Sequence, residues 1–127
     1  MLTIRINDFA VQMRLGVFAE EREEPQSVVL SLRLELKNAI EPKQTEDLGQ
    51  TLDYGLVMGC VFELVADREF LLIETVVNLI GHAIMDSFSE VQRVHVVAEK
   101  RKIPLSFADG VRVSVEQWFT RDEEMSV

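Results

Sequence analysis

Glu74 is the only charged residue in the apolar run FLLIETVVNLI, which spans residues 70–80. A carboxylate is rarely buried without a partner, because taking its charge out of water is costly. Its position fits the first turn of a helix, where free backbone N–H groups and the helix dipole favour an anion. Glu74 is therefore either an ordinary helix-start residue or an ionised carboxylate in an apolar pocket, placed to bind a ligand with paired N–H donors.

Lys100 and Tyr54 are candidates for proton transfer. Lys100 ends the alternating stretch VVAEK, and a partly desolvated lysine at a strand end could act as a general acid or base. The simpler interpretation of Lys100 is a solvated residue at the rim of a loop. Tyr54, the only tyrosine of the chain, either packs on an amphipathic helix or relays a proton through its hydroxyl group.

An acidic segment, GVFAEEREEPQ at residues 16–26, joins two strand-like stretches. Loops of this length on a rigid hairpin often carry function. Most of its carboxylates must face solvent, so at most one of them can bind a ligand. The candidates are four acids within five positions, Glu20, Glu21, Glu23 and Glu24.

Length and composition exclude several classes of protein. The chain has 127 residues, 47% of them apolar, so we expect one folded domain at 1–120 and a frayed, charged tail at 121–127. No apolar stretch is long enough to span a membrane, and the start of the sequence has no recognisable secretory signal. A single cysteine fits a reducing cytosol, so a cytoplasmic protein is expected.

Charge and histidine content narrow the expected partners further. A net charge of −9 argues against general nucleic-acid binding. The basic tripeptide Lys100-Arg101-Lys102 is a local exception, either a solvated loop or, together with Arg22, a group that attracts a phosphorylated ligand. Two histidines far apart in sequence argue against a histidine-rich metal site, and no glycine-rich phosphate loop is present. The residues give no reason to expect a metal or other cofactor.

Hydrophobic periodicity predicts four strands and two helices. Alternation of apolar and polar residues indicates a strand, whereas an apolar stripe every three or four residues indicates a helix. The alternation in the first strand shifts by one residue across Asn7 and Asp8, which predicts a bulge. The six patterns lie, in chain order, at residues 2–15, 28–36, 54–67, 72–86, 94–99 and 111–116.

The element order β-β-α-α-β-β predicts an α+β fold. Pairing of the alternating strands gives an antiparallel sheet with both helices on one face. A single sheet of this kind has open edges, which natural proteins must cover or pair. We therefore expect self-association that continues the sheet between subunits.

Four short motifs with matching spacing resemble one enzyme family. They are LGVFAEEREEPQ, TEDLGQTLDYG, FLLIE and VVAEK, and the similarity extends from about residue 3 to about residue 119. The chain resembles the dihydroneopterin aldolase family, which includes dihydroneopterin triphosphate epimerases. The resemblance implies the tunnelling fold, in which subunit sheets join into a tetrameric barrel and two barrels stack as a homo-octamer. It also implies active sites between neighbouring subunits of one barrel.

The resemblance also assigns roles to individual residues. Glu74 corresponds to the carboxylate that anchors the pterin through its 2-amino group and N3–H. Leu72 and Ile73 correspond to flanking positions that contact the pterin, partly through the backbone. Lys100 corresponds to the catalytic lysine, and Tyr54 to a tyrosine that the adjacent subunit contributes to substrate binding and proton transfer.

Two further positions of this correspondence lie in loops. Glu21 matches the family's glutamate near the hydroxylated side chain of the substrate, and the adjacent Glu20 is the competing choice. Many family members have a proline directly after the lysine, where this chain has Arg101. Pro104 matches the later proline.

The implied reaction is a retro-aldol cleavage in folate biosynthesis. It converts 7,8-dihydroneopterin into 6-hydroxymethyl-7,8-dihydropterin and glycolaldehyde, with epimerisation at C2′ as a related activity. The dihydropterin ring accepts the electrons, so the implied lyase needs neither a metal nor a lysine Schiff base. Two alternatives stay open, a dihydroneopterin triphosphate 2′-epimerase and a pterin-binding oligomer without catalysis.

Overall fold

Strands with alternating side chains and two amphipathic helices build one layered α+β unit in the computed structural model, which describes residues 2–37, 46 and 51–121. The element order predicted from the sequence is confirmed, with one additional short strand, β3. Within the described ranges the elements are β1 (Thr3–Leu15), β2 (Gln26–Leu36), α1 (Tyr54–Val65), β3 (Glu69–Phe70), α2 (Ile73–Ser87), β4 (Val91–Lys100) and β5 (Val113–Thr120).

The strands form a sheet with the order β3-β1-β2-β4-β5. The pairs β1–β2, β2–β4 and β4–β5 are antiparallel, as expected from the alternating segments. The two residues of β3 pair with Arg14 and Leu15 in parallel, so the sheet is mixed and not purely antiparallel. Two residues are too few to show a periodic pattern, which explains why the sequence did not indicate this strand.

A bulge in β1 lies at the position where the alternation shifts. The register with β2 changes between Ile6 and Phe9, and Asp8 has a φ of 59°. The Asp8 backbone N–H donates to the Ser31 hydroxyl at 3.3 Å. The extra residue of the bulge shifts the alternation of inward- and outward-facing side chains by one position, so that Ile6 and Val11 both face the core. The predicted bulge is confirmed.

Both helices pack on the same apolar face of the sheet. Inward-facing residues of β1, β2, β4 and β5 belong to one core cluster with the apolar stripes of the helices. The stripe of α1 repeats every four residues, as its sequence predicts, and α2 supplies a broader one. The buried residues of these stripes are Val57, Val61 and Val65 from α1, and Ile73, Val76, Val77, Ile80, Gly81 and Ile84 from α2.

The end of β5 is anchored to the end of α2 through Arg121. Its guanidinium group donates to the carbonyl oxygens of Met85 (2.8 Å), Phe88 (3.3 Å) and Val91 (3.1 Å). Helix ends leave carbonyl groups without intrahelical partners, and Arg121 satisfies some of them here. The rest of the predicted tail, residues 122–127, lies outside the described residues, as do residues 45 and 47–50 of the motif TEDLGQTLDYG.

Two expectations from the sequence concern membranes and self-association. No helix in the described ranges is long and apolar enough to cross a membrane. The sheet ends on one side at β5, which pairs with β4 alone among the described strands. Assembly of sheets into an oligomeric barrel stays a prediction.

Gly81 and Gly59 offer a matched pair of substitutions for the packing of α2 on the sheet. A methyl group at Gly81 would collide with the Phe119 ring of β5, whereas one at Gly59 on α1 meets no atom within 4 Å. We expect Gly81→Ala to lower the free energy of unfolding by about 1–3 kcal/mol. Gly59→Ala should raise it by about 0.5–1 kcal/mol, because alanine is the better helix former. Urea denaturation measures both, and equal effects would contradict the α2–β5 contact.

Candidate active site

A cleft of about 260 Å³ lies where β1, α2 and β4 end or begin beside one another. Three charged residues, Glu21, Glu74 and Lys100, line it together with an otherwise mainly apolar wall. Charged groups in a concave apolar setting are typical of ligand sites, because they orient a ligand that the apolar wall desolvates. The apolar wall includes Leu15, Leu71, Leu72, Ile73, Ile103 and Pro104.

The loop between β1 and β2 carries Glu21 into this cleft. Residues Ala19–Arg22 form a single 3₁₀ turn. The Glu21 N–H donates to the Phe18 carbonyl at 3.0 Å, and the Phe18 N–H donates to Glu21 Oε1 at 3.2 Å. Gly16 has a φ of 156°, and a Cβ atom there would collide with the Glu21 side chain. Glycine at position 16 therefore leaves the space that the Glu21 carboxylate occupies.

Glu21 and Lys100 form an ion pair in the lining of the cleft. Lys100 Nζ donates to Glu21 Oε2, and the two side chains are 13% (Lys100) and 10% (Glu21) exposed. Lys100 is the last residue of β4, as the sequence predicted. The structure brings Glu21 and not the exposed Glu20 to the lysine, because the 3₁₀ turn directs only one of the adjacent side chains inward. The solvated-rim interpretation of Lys100 does not describe this arrangement.

Burial and pairing act in opposite directions on the pKa of Glu21. Burial disfavours the carboxylate and raises the pKa, but hydrogen bonds from Lys100 and from the Phe18 N–H lower it. The positive charges of Lys100 and Arg22 lower it further, and the net result is a pKa below the ordinary value of 4.5. Glu21 is therefore ionised at neutral pH.

This depressed pKa predicts a specific pH dependence of stability. A carboxylate with a lower pKa in the folded chain stabilises it fully above its unfolded pKa, and this contribution is lost as pH falls through the folded value. The difference in unfolding free energy between the native protein and Glu21→Gln should thus be constant above about pH 5.5 and shrink below about pH 4.5. Denaturation series at several pH values measure it. A difference that does not change below pH 4.5 would contradict the ion pair.

Glu74 lies in the first turn of α2 and lines the cleft. Leu72 is the N-cap residue with an extended backbone, and Ile73 begins the helix. The Glu74 side chain is exposed and has no hydrogen-bond or ion-pair partner among the residues that the structure describes. Glu74 is thus a free acceptor beside the apolar Leu72 and Ile73, as a ligand with two N–H donors would require.

Tyr54 lies apart from the other predicted site residues. It is the first residue of α1, it is 61% exposed, and it does not line the cleft of its own chain. The helix start is fixed by Asp53, whose carboxylate accepts from the Gly55 N–H at 2.9 Å. The described chain therefore brings Glu21, Lys100 and Glu74 together without Tyr54. Its predicted contribution to a neighbouring subunit stays a prediction.

Some residues at the cleft were not singled out from the sequence. Val17 and Phe18 line it and are 62% and 60% exposed. Large apolar residues directly after a glycine in an acidic loop were the available signal, because such side chains are seldom exposed without a partner or ligand. Arg101, the residue in place of the family's proline, pairs with Glu99 at 2.8 Å and does not line the cleft.

Fold and cleft together define an α+β subunit of the tunnelling-fold class, with an ion-paired lysine and a helix-start carboxylate in one cleft. The family profile described as "FolB: Dihydroneopterin aldolase" matches residues 4–116. The chain belongs to the dihydroneopterin aldolase family, and the resemblance seen in its motifs is confirmed. A comparison with curated proteins finds no match.

Solved structures of similar proteins agree with this assignment. A protein assigned as dihydroneopterin aldolase (FolB) from Vibrio cholerae O1 biovar El Tor is 28% identical, with a TM-score of 0.80 and coverage of 95% of this chain and 98% of that one. Escherichia coli dihydroneopterin aldolase in complex with neopterin is 21% identical, with a TM-score of 0.79 and coverage of 92% and 99%. Dihydroneopterin aldolase from Burkholderia thailandensis bound to guanine is 24% identical, with a TM-score of 0.78 and coverage of 95% and 92%. The latter two show the shared fold.

Proposed function

We propose that this protein is a dihydroneopterin aldolase of folate biosynthesis. Its substrate is 7,8-dihydroneopterin, and its products are 6-hydroxymethyl-7,8-dihydropterin and glycolaldehyde. The observation that carries this proposal is the pairing of Lys100 with Glu21 in the same cleft as the exposed carboxylate of Glu74. In this arrangement Lys100 is available for proton transfer, and Glu74 is a separate group that can anchor the pterin ring.

Glu74 is the proposed anchor of the pterin. Neopterin and guanine, the ligands named for two proteins of the same fold, share a ring edge with an amino group and an adjacent ring N–H. A carboxylate accepts both hydrogen atoms of such an edge in a bidentate pairing. Leu72 and Ile73 flank Glu74 in the cleft and would pack beside the ring.

Lys100 is the proposed catalytic residue. The 2′-hydroxyl group loses its proton, the C1′–C2′ bond breaks to release glycolaldehyde, and the electron pair moves into the dihydropterin ring. Protonation at C1′ then completes the second product. Because the ring accepts the electrons, the step needs no metal and no Schiff base. Lys100, acting through a water molecule, and Tyr54 move the protons, while Glu21 lies beside Lys100 and holds its ammonium group.

Oligomeric assembly is part of the proposal. Tyr54 is exposed on α1, away from the cleft of its own chain, so it contributes only if the cleft lies between two subunits. A homo-octamer of two stacked tetramers in the cytoplasm would provide such sites. Light scattering of the purified protein measures its size, and a monomer with full activity would exclude the role of Tyr54.

The triphosphate epimerase alternative receives less support from the basic tripeptide. Arg101 is bound to Glu99, and Lys102 is exposed but does not line the cleft. Lys100 faces Glu21, so its charge is already paired within the cleft. We therefore expect faster turnover of 7,8-dihydroneopterin than of its triphosphate.

Product analysis tests the proposed function directly. Incubation with 7,8-dihydroneopterin should release glycolaldehyde and 6-hydroxymethyl-7,8-dihydropterin in equal amounts, and the same assay with the triphosphate compares the two activities. Recovery of the 2′-epimer would add the epimerase activity. Binding of neopterin without any glycolaldehyde release would favour a pterin-binding oligomer without catalysis.

A further inference from the structure

The Arg22 side chain makes two hydrogen bonds to backbone carbonyl groups and one ion pair, although it belongs to an acidic surface loop. Its Nη1 donates to the carbonyl oxygens of Gly16 at 2.7 Å and Val17 at 3.0 Å. Its Nε forms an ion pair with Glu69 Oε1 at 2.6 Å. The Arg22 side chain is 17% exposed, compared with 61% for Glu69, so the guanidinium group is held inside the loop.

These contacts connect two of the chain segments that form the cleft. Gly16 lies at the start of the loop that carries Glu21, the residue directly before Arg22. Glu69 lies in β3, which leads directly into residues 71–74 of the cleft wall. The other links between β3 and the end of β1 include a two-residue ladder and a hydrogen bond from Gly16 N–H to the Phe70 carbonyl at 3.1 Å. Arg22 adds a side-chain link to this short backbone connection.

A second guanidinium group holds the far end of the same loop. Arg14 Nη1 donates to the carbonyl oxygens of Arg22, at 3.0 Å, and of Glu23. The 3₁₀ turn has only four residues, and such short turns depend on surrounding contacts. Because side chains of the same molecule satisfy the loop carbonyl groups, the backbone around Glu21 is held in place before a ligand arrives.

We propose that Arg22 is a positioning residue, which holds the Glu21 carboxylate against Lys100 by joining the loop carbonyl groups to Glu69. Only its effect on turnover rests on the proposed function, because the placement of Glu21 is a property of the chain itself. Arginine suits this task since its planar group presents several N–H donors in fixed directions, whereas lysine has one compact ammonium group. Loss of these donors leaves the carbonyl groups of Gly16 and Val17 unpaired and lets the turn shift.

Arg22→Gln tests this role, with Arg68→Gln as the matched control. Arg68 is an exposed neighbour of Glu69 that donates to the Leu64 carbonyl at 2.9 Å, away from the cleft. In Arg22→Gln we expect kcat for 7,8-dihydroneopterin to fall about 10- to 100-fold, because small displacements of a reacting group cost this much. The Kd of neopterin should change less than about threefold, since the anchor Glu74 is untouched. Arg68→Gln should leave both quantities at their native values.

Amide hydrogen exchange supplies a readout that does not depend on activity. The Phe18 N–H donates to the Glu21 carboxylate, so its exchange rate reports whether Glu21 stays in place. We expect this rate to rise about tenfold in Arg22→Gln and to stay unchanged in Arg68→Gln. Arg22→Lys keeps the charge but not the planar group, so its Phe18 N–H should also exchange faster than in the native protein.

The possible outcomes separate this inference from the proposed function. Faster Phe18 exchange with a selective loss of kcat supports both. Faster exchange in a protein that never cleaves 7,8-dihydroneopterin supports the positioning role and overturns the aldolase proposal. Unchanged Phe18 exchange in Arg22→Gln overturns the positioning role, whatever the activity. Full rescue of kcat and exchange by Arg22→Lys would overturn it as well, because charge alone would then be sufficient.

Discussion

Replacing Lys100 with alanine should lower the kcat for 7,8-dihydroneopterin by about 10²–10⁴-fold, the range expected for loss of a general acid or base. The Kd of neopterin should change by less than about threefold. Lys100 is 13% exposed and is the charged group at the end of β4, whereas the proposed anchor, Glu74, belongs to α2. Proton transfer and ring binding therefore depend on different residues, and the substitution should affect only the first.

The fate of Glu21 provides a second signature of the same variant. Burial raises the pKa of Glu21, and Lys100 supplies the largest opposing contribution. Without the lysine, that pKa should rise, and the carboxylate should become protonated at a higher pH than in the native protein. Carbon NMR of the labelled carboxyl group measures this change.

Lys102→Ala is the matched control for Lys100→Ala. Lys102 is two residues further along, exposed, and outside the cleft lining. Its removal should leave kcat, the Kd of neopterin and the pKa of Glu21 unchanged. If Lys100→Ala kept native turnover, Lys100 would be only a structural partner of Glu21. If it abolished neopterin binding as well, the separation of anchor and proton donor would be wrong.

The helices and the long strands could be predicted from the sequence because each of them leaves a hydrophobic pattern within its own segment of the chain. Alternation identified the four long strands, and its phase shift at Asn7 and Asp8 located the bulge. The last strand was placed too early, since β5 begins at Val113 and extends to Thr120, whereas Val111 is exposed in the loop. Three valines in alternation gave the strand its signal, but backbone pairing with β4 sets where it begins.

The site could be predicted only in part, because several of its contacts join residues that are far apart in the sequence. The resemblance favoured Glu21 and left the adjacent Glu20 as the competing choice. The 3₁₀ turn fixes which of the two carboxylates meets Lys100, 79 positions away in the chain. The contact between Arg22 and Glu69 joins residues 47 positions apart, and neither residue signals the other in sequence. Pairing across such distances follows from sheet order, which no local pattern contains.

Replacing Glu74 with glutamine should weaken neopterin binding by about 10- to 150-fold, which corresponds to about 1.5–3 kcal/mol for hydrogen bonds to a charged acceptor. Glutamine has nearly the same shape, but one of its two acceptor positions becomes an NH₂ donor that faces the N–H edge of the ring. The bidentate pairing is therefore lost while the cleft keeps its form. The kcat at saturating substrate should fall much less than the affinity, because Lys100 and Glu21 remain paired.

Asp86→Asn is the matched control for Glu74→Gln. Asp86 is an exposed carboxylate on the same helix, three turns further along and outside the cleft lining. Its substitution removes the same charge from α2 and should leave the Kd of neopterin unchanged. Fluorescence titration of both variants compares the local effect with the general loss of a negative charge.

Stability and affinity measurements on Glu74→Gln together decide between the two interpretations of this carboxylate. A helix-start residue acts through the dipole and contributes about 0.3–1 kcal/mol to folding. If that were its only role, the variant would lose this amount of stability and keep native affinity for neopterin. A ligand anchor at the same helix start loses the same small amount of stability, because Glu74 lies in the first turn of α2 in either case. It also loses most of its affinity for neopterin, and this loss of affinity identifies the anchor. The unfolding free energy and the Kd of neopterin can be measured on the same sample of Glu74→Gln. This one variant therefore distinguishes a ligand anchor from an ordinary helix-start residue.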